Sequence, residues 1–306
     1  MYSFIFLRTI RSAFTIFLVV AFAFIILRLS GDPAMMILSA DAPPEAIAAF
    51  RESWGLDVPL WKQFLGYLGN VAQGNFGLSM RNGSASMDLV LEAVPATVAI
   101  TIPAFLLDLM IGIPAGIYAA LHRDSWVDRL IISLSVAGHT LPSFVLGLLL
   151  VLIFAVSFGW LPSGGFTSAT HAILPIATLA VGGAAVLARY ARSSMLEVLG
   201  QPYIRAATAK GLSWNQVVIK HALPNAAMPI VTIAGMMLGG LIAGAVVVES
   251  VFSWPGVGRL IVSAVANRDL AVVQSALLLI TASMVLANLF VDSIYALLDP
   301  KLRHAT

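Results

Sequence analysis

The sequence predicts an all-α integral membrane protein of six transmembrane helices with both termini in the cytoplasm, on three observations. Apolar residues make up 59% of the 306 and charged ones only 10%, where soluble domains carry roughly 25% charge. Uncharged stretches recur at the length a hydrocarbon core demands, ~20 residues at ~1.5 Å each for ~30 Å. Lys and Arg gather in alternate connections, the asymmetry that sets orientation. The same composition excludes other classes. With no cysteine there is neither a disulfide framework nor a thiolate-held metal or cluster. A net charge of +2 gives no footprint for a nucleic acid.

The first span covers residues 12–29, behind Arg8 and Arg11. Its apolar run is longer than the ~7–15 residues of a signal-peptide core, Arg28 follows that run, and no small-x-small cleavage site stands close behind, so the span reads as uncleaved. Residues 31–95 are patterned rather than bare loop. Asp41 and Pro43-Pro44 open a helical pattern whose Ile47, Phe50 and Trp54 share a face, closed by Gly55. A second pattern after Pro59 repeats Leu60, Phe64 and Leu68 at spacing four. The chain therefore divides into residues 1–95, a first span with a small extracytoplasmic helical subdomain, and residues 96–306, a five-helix core.

Within that core the spans cover 96–121, 130–158, 172–190, 226–248 and 274–298. The fourth of the six is rich in Gly and Ala (Gly182, Gly183, Ala184, Ala185), which places it among other helices, since small residues let backbones approach. Pro103, Pro114 and Pro175 lie inside apolar runs, tolerable in a membrane when neighbours satisfy the freed carbonyls. Arg123 and Arg129 follow span two; Arg189, Arg192, Arg205, Lys210 and Lys220 follow span four, against Glu197 alone. Residues 159–171, after span three, hold no Lys or Arg, and both chain ends are basic. The even-numbered connections are thus cytoplasmic.

One of them is peculiar. Residues 203–225, "YIRAATAKGLSWNQVVIKHALPN", run polar and basic between apolar segments. Pro202 suits the first turn of a helix. Ala206, Ala207 and Ala209 give that helix a small face. Gly211 can take the left-handed conformation that ends it. Ser213 and Gln216 form a capping box for a second helix, which Pro224 is expected to end before span five. A short helix pair pinned between spans can dock on a cytoplasmic partner or lie on lipid headgroups.

Ionisable residues inside spans mark candidate sites, because a charge at mid-membrane costs ~2.5–3.5 kcal/mol on insertion scales. Asp108 sits near the middle of span two, where it can meet a cationic group on a translocation pathway or bond a neighbouring helix. Asp292 lies in span six and Glu249 at the outer end of span five, where it can brace a gate or bond the "SWPG" turn. No catalytic or metal-ligating constellation is visible: the five histidines are scattered, with His139 alone in span three and read as a bonded core residue, and there is no H-E-x-x-H. There is no G-x-x-x-x-G-K-[ST] phosphate loop either, so any ATP chemistry belongs to another polypeptide. An ion-coupled secondary transporter is the rival class, suited by Asp108 and the Gly/Pro breaks of span two, but without a visible internal repeat.

Ala206-Ala207, then Gly211, then Leu223-Pro224 resembles the EAA motif of membrane subunits of bacterial ABC importers. "LRLSGDPA" (27–34), "FGLSMRNG" (76–83), "LPSFVLGLLL" (141–150), "FGWLPSGG" (158–165), "VVVESVFSWPGVGRL" (246–260) and "YALLDPKLR" (295–303) are similar to the first permease subunit of oligopeptide and dipeptide importers, a likeness covering nearly the whole chain. Arg205 stands where the motif's acid belongs, and His221 where Ile is frequent. The resemblance implies the six-helix type I importer permease fold in a bacterial inner membrane. It implies a coupling helix at about 202–224, with Tyr203, Arg205, Ala206, Ala207, Lys210, Gly211, Leu223 and Pro224 at the contact. The implied partners are a second, homologous permease, two ATP-binding subunits that hold ATP and Mg, an extracytoplasmic binding protein and the lipid bilayer. This chain would hold no cofactor and would form half of a pathway for short peptides; close relatives carry nickel chelates or glutathione.

Overall fold

The computed structural model describes residues 2–29, Ala34, Leu38 and 42–298, with side chains described over 10–26 and 42–291 besides those two residues. The expectations placed on residues 27–33, Asp292 and 295–303 lie outside the described residues or side chains. Every described regular element is a helix; the β contribution among these residues is one isolated antiparallel bridge, Leu78 with Ala85.

The chain forms two compact units. The first joins residues 1–96 with 255–285. Its helices are α1 (Tyr2–Leu29), α2 (Pro44–Ser53), α3 (Leu60–Ala72) and, late in the chain, α13 (Val257–Ala266) and the first half of α14 (Leu270–Leu298). Pro at the first turn starts α2, and Pro59 precedes α3, as the sequence pattern requires. Gly55, at φ 59°, closes α2. The "FGLSMRNG" loop is fastened to the start of α14. The Ser79 hydroxyl donates to the Asp269 carboxylate, Met80 N–H donates to the same carboxylate at 3.3 Å, and the Ser86 and Ser275 hydroxyls pair at 2.8 Å. All four polar side chains are buried, so each is paired where water cannot reach.

The second unit holds residues 97–254 with 286–300. Helix α4 (Ser86–Leu107) enters it, passes through a π turn (Asp108–Gly112) and continues as α5 (Ile113–Leu121), one helix of 36 residues. It starts ten residues before the expected span because Ser86 anchors its first turn, the hydroxyl donating to Phe76 O at 2.9 Å. Helix α6 (Trp126–Thr140) and α7 (Ser143–Leu150), the latter extended by a π turn (Val151–Ser157), meet at a 102° bend. The straight third span expected over 130–158 is therefore broken. Leu141 precedes Pro142, is pushed to an extended φ −69°, ψ 122°, and helix cannot continue through it.

Helix α8 (Ile173–Leu199), led by a 3₁₀ turn (Ala169–Ala172), is the axis of this unit. It packs against α5, α6, α7, the first π turn and α11, as its small residues predict. The closest approach is to Gly112 and Gly116. A Cβ at Gly112 would stand 2.6 Å from Ala184 O, and one at Gly116 would overlap Ala188 O. Then come α9 (Pro202–Ala209), α10 (Trp214–Val217), a π turn (Val218–Ala222), α11 (Leu223–Gly239) and α12 (Leu241–Val251). Four helices among the described residues are long and apolar enough to cross a membrane, and the bent pair makes a fifth; Ile10–Ile26 of α1 is a shorter apolar helix.

Candidate functional site

The 202–224 element folds as its local signals direct. Pro202 opens α9, Gly211 turns the chain at φ 83°, and Ser213 caps α10 with its N–H donating to Gln216 Oε1 at 3.1 Å. Pro224 behaves differently from expectation. The helix does not stop there: 214–239 is continuous, and Pro224 sits in the first turn of α11 just after the π turn. The wider π turn shifts the backbone register ahead of the ring, and Asn225 Nδ2 donates to the His221 carbonyl at 2.7 Å.

The hairpin has two faces. Ile204, Ala207, Val217, Val218 and Ala222 are buried with Ala120, Met195 and Ala226, and Leu212 and Leu223 pack against them. This apolar underside seats the hairpin on α5, α8 and α11. Ser194 Oγ of α8 adds a hydrogen bond to Ala226 O at 2.9 Å. Tyr203, Arg205, Ala206, Lys210, Gly211 and Pro224 are exposed, and so is Trp214. The structure thus divides the sequence-derived set: Ala207 and Leu223 hold the hairpin in place, while the others form its free surface. Tyr203 at 42%, Trp214 at 52% and Ile219 at 63% exposure put apolar surface on the hairpin, and Tyr and Trp are residue types enriched at interface centres.

Beside this element lies a clasp that sequence reading did not find. Asp128, in the first turn of α6, takes a forked ion pair from Arg192 of α8, at 2.5 and 2.7 Å. Asp128 Oδ2 also accepts from Asp124 N–H at 3.0 Å, and Ser125 Oγ accepts from Asp128 N–H at 3.1 Å. The Asp128 side chain is 4% exposed. Arg192 was visible only as one of several loop cations; 64 residues separate the partners.

Asp108 begins the first π turn and is buried, its carboxylate pressed on Gly183 of α8, where no side chain could fit. Its Oδ1 has no hydrogen-bond partner. Glu249, in α12, is fully buried and accepts from Thr97 Oγ1 of α4 at 2.6 Å, and its backbone carbonyl accepts from Trp254 N–H at 2.8 Å. Around it two sequence blocks meet. Gly165 N–H donates to Phe252 O at 2.9 Å, Phe166 stands edge-on to Trp254 at 4.8 Å, and a cavity of about 450 Å³ opens beside Ser163, Gly165, Phe252 and Ser253. His139 is exposed on α6, not in a core as read. No three metal-ligating side chains converge among the described residues.

Residues 112–304 match the family described as the binding-protein-dependent transport system inner membrane component, and residues 1–101 match the N-terminal membrane component of such systems. The glutathione transport system permease protein GsiC of Escherichia coli strain K12 is 43% identical over 291 residues, 95% of either chain. The protein of the same name from Shigella flexneri serotype 5b is 42% identical over the same length. Among solved structures, an inward-facing form of the MetNI methionine ABC transporter aligns with a TM-score of 0.57 at 22% identity, over 69% of this chain and 96% of that one; this likeness is one of fold. The chain belongs to the binding-protein-dependent inner membrane component family and is a multi-pass ABC importer permease subunit of the bacterial inner membrane, of the dipeptide and oligopeptide branch.

Proposed function

We propose that this subunit forms half of an ATP-driven pathway for short peptides, and that the 202–224 hairpin is where ATP hydrolysis on a partner is felt. The observation that carries this reading is the hairpin's two-sidedness. Its underside is locked into the body by Ile204, Ala207 and Val217, while Tyr203, Arg205, Ala206, Lys210 and Gly211 stay uncovered. An element so held can move only with its spans, so force on the free face reaches α8 and α11. In this reading the hairpin and both termini are cytoplasmic, and six passes come from the four long helices, the bent α6–α7 pair and α1. Two ATP-binding subunits, a second permease and an extracytoplasmic binding protein complete the assembly, and ATP and Mg sit on the ATP-binding subunits.

The relatives' names make glutathione, a tripeptide, the first substrate to try, ahead of other short peptides and nickel chelates. Asp108 and Glu249 serve the gate. What supports that over direct substrate contact is their burial, Asp108 against Gly183 and Glu249 against Thr97. Each would be released only as its helices part.

Ligand-stimulated ATP hydrolysis tests the proposal, with the chain and its neighbouring-gene subunits in liposomes. Gly211→Trp places bulk on the free face, where a side chain meets nothing of this chain within 4 Å. Gly211→Asn is the control, because Asn tolerates the left-handed conformation. Stimulation by glutathione or short peptides lost in G211W and kept in G211N, with assembly intact, is the expected result. Equal stimulation in both variants would remove the coupling role.

A further inference from the structure

Helix α3 carries two apolar faces, and this chain covers only one. Phe64 packs on Phe17 and Phe24 of α1, with ring centroids 6.2 and 5.2 Å apart, and Tyr67 stacks on Phe24 at 5.8 Å. On the neighbouring stripe Trp61 and Leu65, one turn apart, are 60% and 59% exposed, and Leu60, which starts Phe64's own stripe, is 49% exposed. Trp61 and Leu65, with Leu60 at their edge, form an apolar patch that this chain leaves uncovered and that calls for a partner.

The contacts with α1 fix its depth. Phe17 and Phe24 belong to the uncharged run 12–27 of α1, which Arg28 closes. At ~1.5 Å per residue Phe24 lies about 5 Å, and Phe17 about 15 Å, before that end. A helix seated across both lies alongside the apolar half of a membrane span rather than above it. Its composition agrees: residues 63–80 hold no charged side chain. The Lys62 ammonium stands 5.4 Å from the centre of the Trp61 ring, an arrangement suited to the headgroup boundary, where Trp anchors and Lys stems reach outward. Neighbouring α2 is of a different kind, with Glu45, Arg51 and Glu52 within ten residues.

We propose that α3 is embedded in the outer leaflet, with Trp61 and Leu65 against lipid acyl chains and Lys62 at the headgroups, while α2 stays in water. The depth rests on α1 as a membrane span, and the leaflet on the cytoplasmic N-terminus, both proposed above. Because the chain has no cysteine, single sites can be labelled in otherwise cysteine-free transporter, assembled in nanodiscs of phosphatidylethanolamine and phosphatidylglycerol. A nitroxide on Leu65→Cys should collide with oxygen several-fold more than with a water-soluble nickel chelate, and one on Ala49→Cys should do the reverse. Trp61→Cys is the second site should L65C fail to assemble. Nickel-dominated collisions at 65 would place α3 in water. Low access to both probes would mean that a protein partner covers it. Either result overturns the proposal. A membrane-impermeant maleimide on A49C in intact spheroplasts reads the side separately: reaction supports the outer leaflet, and protection sinks the topology while leaving the measured depth standing.

Discussion

Gly116→Ala adds one methyl group where α5 meets α8, and the structure says what that methyl encounters. It would overlap Ala188 O, lie 2.8 Å from Ala191 Cβ and 3.0 Å from Ala188 C. Two of the three obstacles are backbone, so no rotamer change relieves them; the helices must separate by about 1 Å. A gap of 0.5–1 Å forfeits a quarter to a half of each contact's ~0.1–0.2 kcal/mol, and a helix interface of some forty atom pairs loses about 1–4 kcal/mol in that way. Overpacking substitutions in well-filled cores cost about 1–3 kcal/mol, which agrees. Gly182→Ala is the matched control, on α8 itself, because a Cβ there meets nothing within 4 Å. Thermal unfolding of the assembled transporter, followed by loss of the monodisperse peak in detergent, should show G116A lowered by several degrees and G182A unchanged. Equal midpoints for the two variants would refute the close-contact argument. So would an equal fall in both, which would point to glycine flexibility instead.

Other positions make sharper or milder demands. Asp128→Ala leaves Arg192 without its forked partner at a site where the acid is nearly enclosed, and should cost about 3 kcal/mol. The double variant D128A/R192A should lose less than the two single losses added, which a double-mutant cycle on unfolding checks. Glu249→Gln can still accept from Thr97 and should assemble near normally, whereas Glu249→Ala removes that acceptor and leaves a buried void, and should cost about 2–4 kcal/mol; thermal midpoints separate them. Ser79→Ala removes one of the donors to Asp269 and should cost about 1.5–3 kcal/mol, read as faster proteolysis in the 80–84 loop.

Legibility in the sequence followed the range of each signal. Pro202, Gly211 and the Ser213–Gln216 pair act within one turn of themselves, and the hairpin formed as their spacing directs. Pro224 failed as a stop because proline ends a helix only if the i−4 register is kept, and the Val218–Ala222 π turn changes that register first. The bend at Leu141-Pro142 was equally local, but the apolar run 130–158 hides it from any test of hydropathy. Asp108 stands out by the rarity of charge in a span, yet its packing on Gly183 is 75 residues away in the chain and no local pattern encodes it. The Gly112-x-x-x-Gly116 spacing is legible as a close-approach surface only once α8 supplies the small residues it meets.

The π turns give the hairpin's connection to the membrane a mechanical sense. Two of the three end two residues before a proline: Asp108–Gly112 before Pro114 and Val218–Ala222 before Pro224. In both places the helix runs on, so there is no loop to absorb motion; there is only a turn with wider hydrogen bonding and a missing donor after it. π turns and prolines are the places where helices bend. The hairpin is thus joined to α11 through one such π turn, and Asp108 sits at the corresponding π turn between α4 and α5. Both joints bear on α8, one through Gly183 and Ala184, the other through Ala226 and Ser194. If the hairpin couples as proposed, a push on Tyr203 or Lys210 would reach α8, the helix whose small side chains allow the tightest contacts in the unit.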